Sequence, residues 1–177
     1  STGPYHRPMA LELFGSTRRD AQPMFEQGRL GFAVGDIHGR ADLLARMLER
    51  LEKEIPAVGV RKPTVIFLGD YVDRGPSSAD VITRLLEWRP PGWDMRFLKG
   101  NHEAAMLAFL EEPVANRGWL QHGGLETMAS YGVHPLPSIA ANDDQVRAAA
   151  LQLRELLPDA HLGFLRALER FVIIGDY

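Results

Sequence analysis

The feature that most restricts the fold of this chain is a pattern that occurs three times. A short apolar run ends at glycine, and an oxygen-bearing side chain follows at once. Residues 30–34 (LGFAV) lead into Gly35-Asp36, residues 65–68 (VIFL) into Gly69-Asp70, and residues 95–98 (MRFL) reach Gly100-Asn101. Each run has strand length and is followed by helical periodicity. Leu43, Leu44, Met47, Leu48 and Leu51 recur at helix spacing before Pro56 and Gly59 close the segment. Val81, Ile82, Leu85 and Leu86 do so between a Ser77 N-cap and the stop at Pro90-Pro91-Gly92, and a third helix begins near Glu103. Three strand–loop–helix units in series predict an α/β fold with a parallel sheet, right-handed crossovers and flanking helices. Ligands of such sheets bind outside the carboxyl ends of the strands, where all three polar clusters fall.

Beyond residue 112 the pattern is weaker. Short helices are expected around Trp119, Leu120, Leu125 and Met128, broken at Gly123-Gly124 and Gly132. A loop is expected over 133–145, a helix over 145–157, and another to about residue 169 capped by Asp159. A strand over 171–174 (FVII) follows, and its exposed edge would favour self-association. Residues 1–28 read as a lead-in and 29–177 as one domain, a length that suffices for a real core.

Composition removes several function classes. Apolar residues make up 45% and charged residues 24% of 177, with a formal net charge of −3. That charge offers no general attraction to nucleic acid or anionic lipid, so neither is an expected partner. No apolar stretch reaches the length of a membrane span. With no cysteine, disulfides and thiolate metal sites are excluded, and a cytoplasmic location is the default expectation.

The clusters themselves carry chemistry. In Gly35-Asp36-Ile37-His38-Gly39, alternation after a strand would aim Asp36 and His38 the same way, a mixed oxygen–nitrogen pair suited to a divalent transition metal. In residues 69–75 (GDYVDRG), Asp70 stands at the same offset from its strand as Asp36. Its carboxylate is placed to bridge two cations, and Arg74 offers a planar fork for phosphate oxygens. In residues 100–103 (GNHE), Asn101 can serve a metal or a phosphate oxygen, and His102 is a candidate general acid oriented by Asp73. Glu103 reads as structural, either capping its helix or holding a neighbouring loop. His6, His122, His134 and His161 lack such surroundings and are not expected to bind metal; Trp88, Trp93 and Trp119 read as packing.

GDIHG, GDYVDRG and GNHE, in that order, resemble the signature of the metallophosphoesterase superfamily, which is also called calcineurin-like. The GDYVDRG form is most similar to the phosphoprotein phosphatase family, and Trp119-Leu120, Gly123-Gly124 and Ser130-Tyr131-Gly132 resemble a stretch of its bacterial members. The resemblance implies a sandwich of β-sheets flanked by helices, with the second sheet incomplete within these residues. It implies two divalent metal ions, with manganese the first choice and iron or zinc the alternatives. Asp36, His38 and Asp70 would hold one ion, and Asp70 and Asn101 the other. Arg74 and Asn101 would bind phosphate, and Asp73 and His102 would form the acid dyad. The family also draws two metal-binding histidines from later segments than those present here.

The expected activity is metal-dependent hydrolysis of a phosphoserine or phosphothreonine ester by a metal-activated hydroxide, on a phosphoprotein or a phosphorylated small molecule. The alternatives are hydrolysis of a dinucleoside polyphosphate such as diadenosine tetraphosphate, and an inactive metal- or partner-binding module.

Overall fold

The computed structural model describes residues 30–59, 62–134, 136 and 141–175. The expected lead-in, residues 1–28, lies outside them. Three strands, β1 (Gly31–Val34), β2 (Thr64–Phe67) and β3 (Asp94–Phe97), form a parallel sheet in the order β1-β2-β3. Val34 pairs with Phe67 and Phe67 with Phe97, so the three strands end level. Among the described residues this is the single sheet, flanked by helices as expected for an α/β chain.

The central strand is the most buried: Thr64, Val65 and Phe67 have no exposed surface. A parallel strand covered on both faces has to be apolar along its length, and VIF satisfies that requirement. Phe67 stacks on Phe97 with ring centres 5.0 Å apart, and Trp88 meets Phe67 edge-on at 6.1 Å. The connecting helices are α1 (Ala41–Ala57) and α2 (Ser78–Glu87), while α3 (Asn101–Glu111) leaves the end of β3. Helix α1 buries Leu44, Leu48, Leu51 and Ile55, one face at helical spacing, and α2 buries Val81, Ile82 and Leu85 in the same way. No helix among the described residues is long and apolar enough to cross a membrane.

A short 3-10 turn, Arg117–His122, and helix α4 (Gly124–Ser130) follow α3; then come α5 (Asp143–Leu156) and α6 (Asp159–Ala167). Helix α4 packs on α2, α5 on α3, and α6 on both α2 and α3. Three details differ from the sequence expectation. Ser77 takes the N-cap position of α2, but its hydroxyl makes no capping bond. Pro158 rather than Asp159 occupies the N-cap of α6, leaving Asp159 in the first turn, where its charge favours the helix dipole. Helix α5 begins two residues early, because Asn142 and Gln145 exchange side chain–backbone hydrogen bonds of 3.0 and 2.9 Å in a capping box.

The strand expected over 171–174 does not form. Pairing is limited to one parallel bridge between Leu98 and Glu169, with Lys99 N–H donating to Glu169 O at 2.7 Å and Glu169 N–H to Phe97 O at 2.9 Å. The Arg96 guanidinium grips the Glu169 carboxylate and fixes this register. A ladder cannot continue past Lys99, because the neighbouring chain turns at Gly100 into α3. Phe171 and Ile173 consequently stay 71% and 70% exposed.

Candidate active site

The loops after β1, β2 and β3 are tied to one another by backbone hydrogen bonds. Ile37 and His38 N–H both donate to Asp70 O, at 3.0 and 2.8 Å, and Gly39 N–H donates to Tyr71 O at 2.8 Å. The Tyr71 ring is fully buried, and its hydroxyl reaches the carbonyl oxygens of Leu98 (2.8 Å) and Phe67 (3.2 Å). Strand ends β2 and β3 are thereby held together just below the clusters.

Four residues of these loops hold left-handed backbone without being glycine: His38 (φ 44°), Asp70 (53°), Asp73 (73°) and Arg74 (66°). Such conformations cost ~1–3 kcal/mol each and persist only where surrounding contacts enforce them. Side-chain alternation along an extended strand therefore does not aim these groups; turns do. Nor are the offsets equal: Asp36 lies two residues past its strand, Asp70 three and Asn101 four, by the ends of β1, β2 and β3. Gly69 (φ 109°) permits the close approach, since a Cβ there would sit 2.4 Å from the Gly100 nitrogen.

One potential ligand atom each from His38, Asp70 and His102 lies within 4.8 Å of the other two. His38 donates its Nδ1–H to Val72 O at 3.0 Å, which leaves Nε2 with its lone pair free. That Nε2 is buried without a hydrogen-bond partner among the described residues and lies 3.7 Å from Oδ2 of the exposed Asp36. A buried, unsatisfied ring nitrogen facing carboxylates is the arrangement expected of a metal ligand, so the donor set fits a divalent ion. Asp70 Oδ1 also accepts the His102 N–H at 3.1 Å, at the start of α3, and Asn101 is exposed at the first position of that helix.

Beside this cluster, His102 Nδ1 lies 2.7 Å from Asp73 Oδ2, and Arg74 Nη2 lies 3.3 Å from His102 Nε2. A guanidinium only donates, so Nε2 accepts and Nδ1 carries the proton given to Asp73. The structure thus brings Asp73, Arg74 and His102 together next to His38 and Asp70. The exposed Asp36 stands outside that cluster and approaches it through His38.

Asp73 is fully buried, and burial pushes its carboxyl above the usual range, against hydrogen bonds from Thr127, His102 and Trp119. The Thr127 hydroxyl donates to Oδ1 at 2.7 Å and the Trp119 indole N–H to Oδ2 at 2.8 Å. In the sequence Trp119 reads as packing alone, and nothing marks Thr127. Trp119 does pack, 4.9 Å from the Phe109 ring, but its one polar atom serves the dyad. The signal was present in Trp119, Gly123-Gly124 and Ser130, whose spacing matched the family without revealing which side chain turned inward.

Glu103 has the structural part expected of it, in both senses. Its carboxylate accepts the N–H of Gly100 (2.9 Å), capping α3, and those of Asp70 (2.9 Å), Tyr71 (2.7 Å) and Val72 (3.2 Å). His122 and His134 are exposed, whereas His161 is buried between Tyr131 OH (3.0 Å) and Thr83 Oγ1 (3.2 Å); His6 lies outside the described residues.

Comparison with known proteins agrees with this geometry. Residues 32–176 match the family model described as calcineurin-like phosphoesterase. Over 93 residues the chain is 42% identical to serine/threonine-protein phosphatase 2 of Escherichia coli (strain K12), covering 52% of this chain and 38% of that protein. Over 77 residues it is 36% identical to a symmetrical bis(5'-nucleosyl)-tetraphosphatase of Paracidovorax citrulli (strain AAC00-1), covering 44% of this chain and 25% of that one. Over 166 residues it is 28% identical to an asymmetrical bis(5'-nucleosyl)-tetraphosphatase of Bacillus velezensis, covering 81% of this chain and 63% of that one. The chain thus spans between a quarter and under two thirds of the length of these relatives. With three motif loops converging on one donor cluster and a family match that runs over most of its length, the chain belongs to the calcineurin-like phosphoesterase family.

Proposed function

We propose that this protein is a metal-dependent phosphoester hydrolase acting on phosphoserine or phosphothreonine in proteins. The observation that carries the reading is the Asp73–His102 pair at 2.7 Å, set between Arg74 and the donor cluster of His38 and Asp70. Residues 29–177 are then the N-terminal part of the catalytic domain, with residues 1–28 leading into it.

Asp36, His38, Asp70 and Asn101 are the proposed metal ligands. Two divalent ions held there supply charge and a water acidic enough to act at neutral pH. Manganese is the proposed ion, since a nitrogen–oxygen donor set with carboxylates suits it. The chain's own residues do the rest. Arg74 and Asn101 engage the phosphate oxygens, Arg74 through two parallel N–H donors. When phosphate takes up the guanidinium, Nε2 of His102 is released to carry a proton to the departing seryl or threonyl oxygen. Asp73 holds the ring by Nδ1 and stabilises its cationic form. A cytoplasmic site of action belongs to the same proposal, and the absence of cysteine is compatible with it.

The test is turnover of a phosphoserine peptide with added manganese by the wild type and by Asp70→Asn. Wild-type turnover should exceed that of the variant by at least about a hundredfold, and equal rates would refute the mechanism. A second reading, hydrolysis of a dinucleoside polyphosphate, is supported by the similarity that extends over 166 residues of the Bacillus velezensis protein. Diadenosine tetraphosphate assayed beside the phosphopeptide separates the two by their kcat/KM values.

A further inference from the structure

We propose that Trp119 and Thr127 are positioning residues for proton delivery: they lock the Asp73 carboxylate, and through it the His102 ring, in the orientation that serves an alkoxide leaving group. The proposal rests on the phosphoester-hydrolase reading above.

The geometry is closed on every side of Asp73. The Thr127 hydroxyl donates to Oδ1 at 2.7 Å, and the same oxygen accepts the Asp73 backbone N–H at 2.8 Å, so one side chain grips both ends of the residue. Ser78 Oγ lies 2.9 Å from Thr127 Oγ1 and 3.1 Å from Asp73 N. With its own proton spent on Asp73, the Thr127 hydroxyl accepts from Ser78. The Trp119 indole N–H and the His102 Nδ1–H share Oδ2, at 2.8 and 2.7 Å. All four surrounding side chains are buried: Ser78 and Thr127 have no exposed surface, Trp119 has 3% and His102 has 4%.

These donors come from a segment that fits closely around residues 73–74. Arg74 N–H points to Gly123 O at 3.4 Å, and a Cβ on Gly123 would lie 2.3 Å from the Arg74 nitrogen. Trp119 and Thr127 therefore reach Asp73 as a unit, from the 3-10 turn and from α4. Two fixed donors leave the carboxylate a single direction in which to meet His102. That contact keeps the proton on Nδ1 and presents Nε2 to the site.

In the reaction, a water gives up a proton to solvent, and the resulting hydroxide oxygen forms a bond to phosphorus as the ester P–O bond breaks. The electron pair stays on the departing oxygen, which takes the Nε2 proton of a cationic His102 ring. That ring is left neutral, with its remaining proton on Nδ1 toward Asp73. A strongly basic alkoxide needs that proton, whereas a nitrophenolate leaves without it. The two positioning residues should accordingly matter for the first kind of ester and hardly for the second.

The experiment compares kcat/KM for a phosphoserine peptide and for p-nitrophenyl phosphate in the wild type, Thr127→Val, Trp119→Phe and Thr127→Ser. Thr127→Val and Trp119→Phe should lose about tenfold or more on the peptide and less than about twofold on the aryl ester, with Thr127→Ser near wild type on both. Equal losses on both esters, as a loosened fold would produce, would overturn the proposal. A second readout needs no turnover: the ring 15N spectrum of His102 at mildly alkaline pH. The wild type should show the single Nδ1–H tautomer and Thr127→Val a mixture. If the wild type hydrolyses neither ester, the hydrolase reading has failed, and an unchanged tautomer in Thr127→Val would overturn the positioning claim separately.

Discussion

The Glu103 carboxylate and the Tyr71 backbone N–H, thirty-two residues apart, meet at 2.7 Å in a fully buried position. This bond ties the start of α3 to the loop after β2. The same carboxylate also accepts N–H groups from Asp70, Val72 and Gly100. Burial pushes the Glu103 carboxyl above its ordinary range, and the N–H donors offset only part of that. In Glu103→Gln an amide NH2 would face backbone donors that need an acceptor. The expected result is a loss of about 2–5 kcal/mol, read as a lower urea midpoint at unchanged slope. Metal affinity should fall with it, because Asp70 is one of the residues anchored.

Gly69 tests the left-handed loop geometry. Its φ of 109° is disfavoured for any L side chain, and an added Cβ would lie 2.4 Å from Gly100 N. Gly69→Ala should cost more than about 3 kcal/mol, whereas Gly163→Ala, where nothing stands within 4 Å and the residue lies inside α6, should be neutral or slightly stabilising. Thermal melts of the two variants side by side check the contrast.

His38 isolates the metal site from the dyad. Its Nδ1–H is engaged by Val72 O and its Nε2 is left unsatisfied. His38→Ala should weaken manganese binding at least tenfold in calorimetry. The His38 ring packs edge-on against the His102 ring at 4.7 Å, so the His102 signal should shift. The His102 ring should nevertheless keep its single Nδ1–H tautomer, because the Asp73 contact stays intact.

A pH dependence of stability follows from His161. Burial lowers its pKa below the ordinary value of 6.5, and Tyr131 and Thr83 satisfy both ring nitrogens in the neutral form. The Thr83 hydroxyl gives its own proton to Ala79 O at 3.0 Å, so Nε2 donates to Thr83 and Nδ1 accepts from Tyr131. Below pH ~6.5 the unfolded chain takes up a proton there that the folded chain does not. Stability should therefore fall as pH drops through that value, by up to ~1.4 kcal/mol per pH unit, and level off below the folded pKa. Urea midpoints between pH 7.5 and 5.5 measure the slope, and His161→Gln should flatten it.

Much of the architecture was legible in the chain. Apolar runs before Gly35, Gly69 and Gly100 marked the strands, and the periodic leucines of residues 43–51 marked α1. The strand anticipated over 171–174 was not realised, because an apolar run carries no information about whether a neighbouring edge is available to pair with it. Here the neighbour had already turned into α3 at Gly100.

The sequence by itself determined most of the inventory of the candidate site. Asp36, His38, Asp70, Asp73, Arg74, Asn101 and His102 were recognisable from residue type and from their places after three strands. Tertiary structure alone decided how they are held. Four of the loop residues owe their orientation to left-handed backbone enforced by contacts from distant segments. The surroundings of Asp73 come from Trp119 and Thr127, forty-six and fifty-four residues away. Local periodicity reports which face of an element is apolar. It cannot report which buried hydroxyl or indole N–H will satisfy a carboxylate, since that partnership exists only once the chain has closed around it.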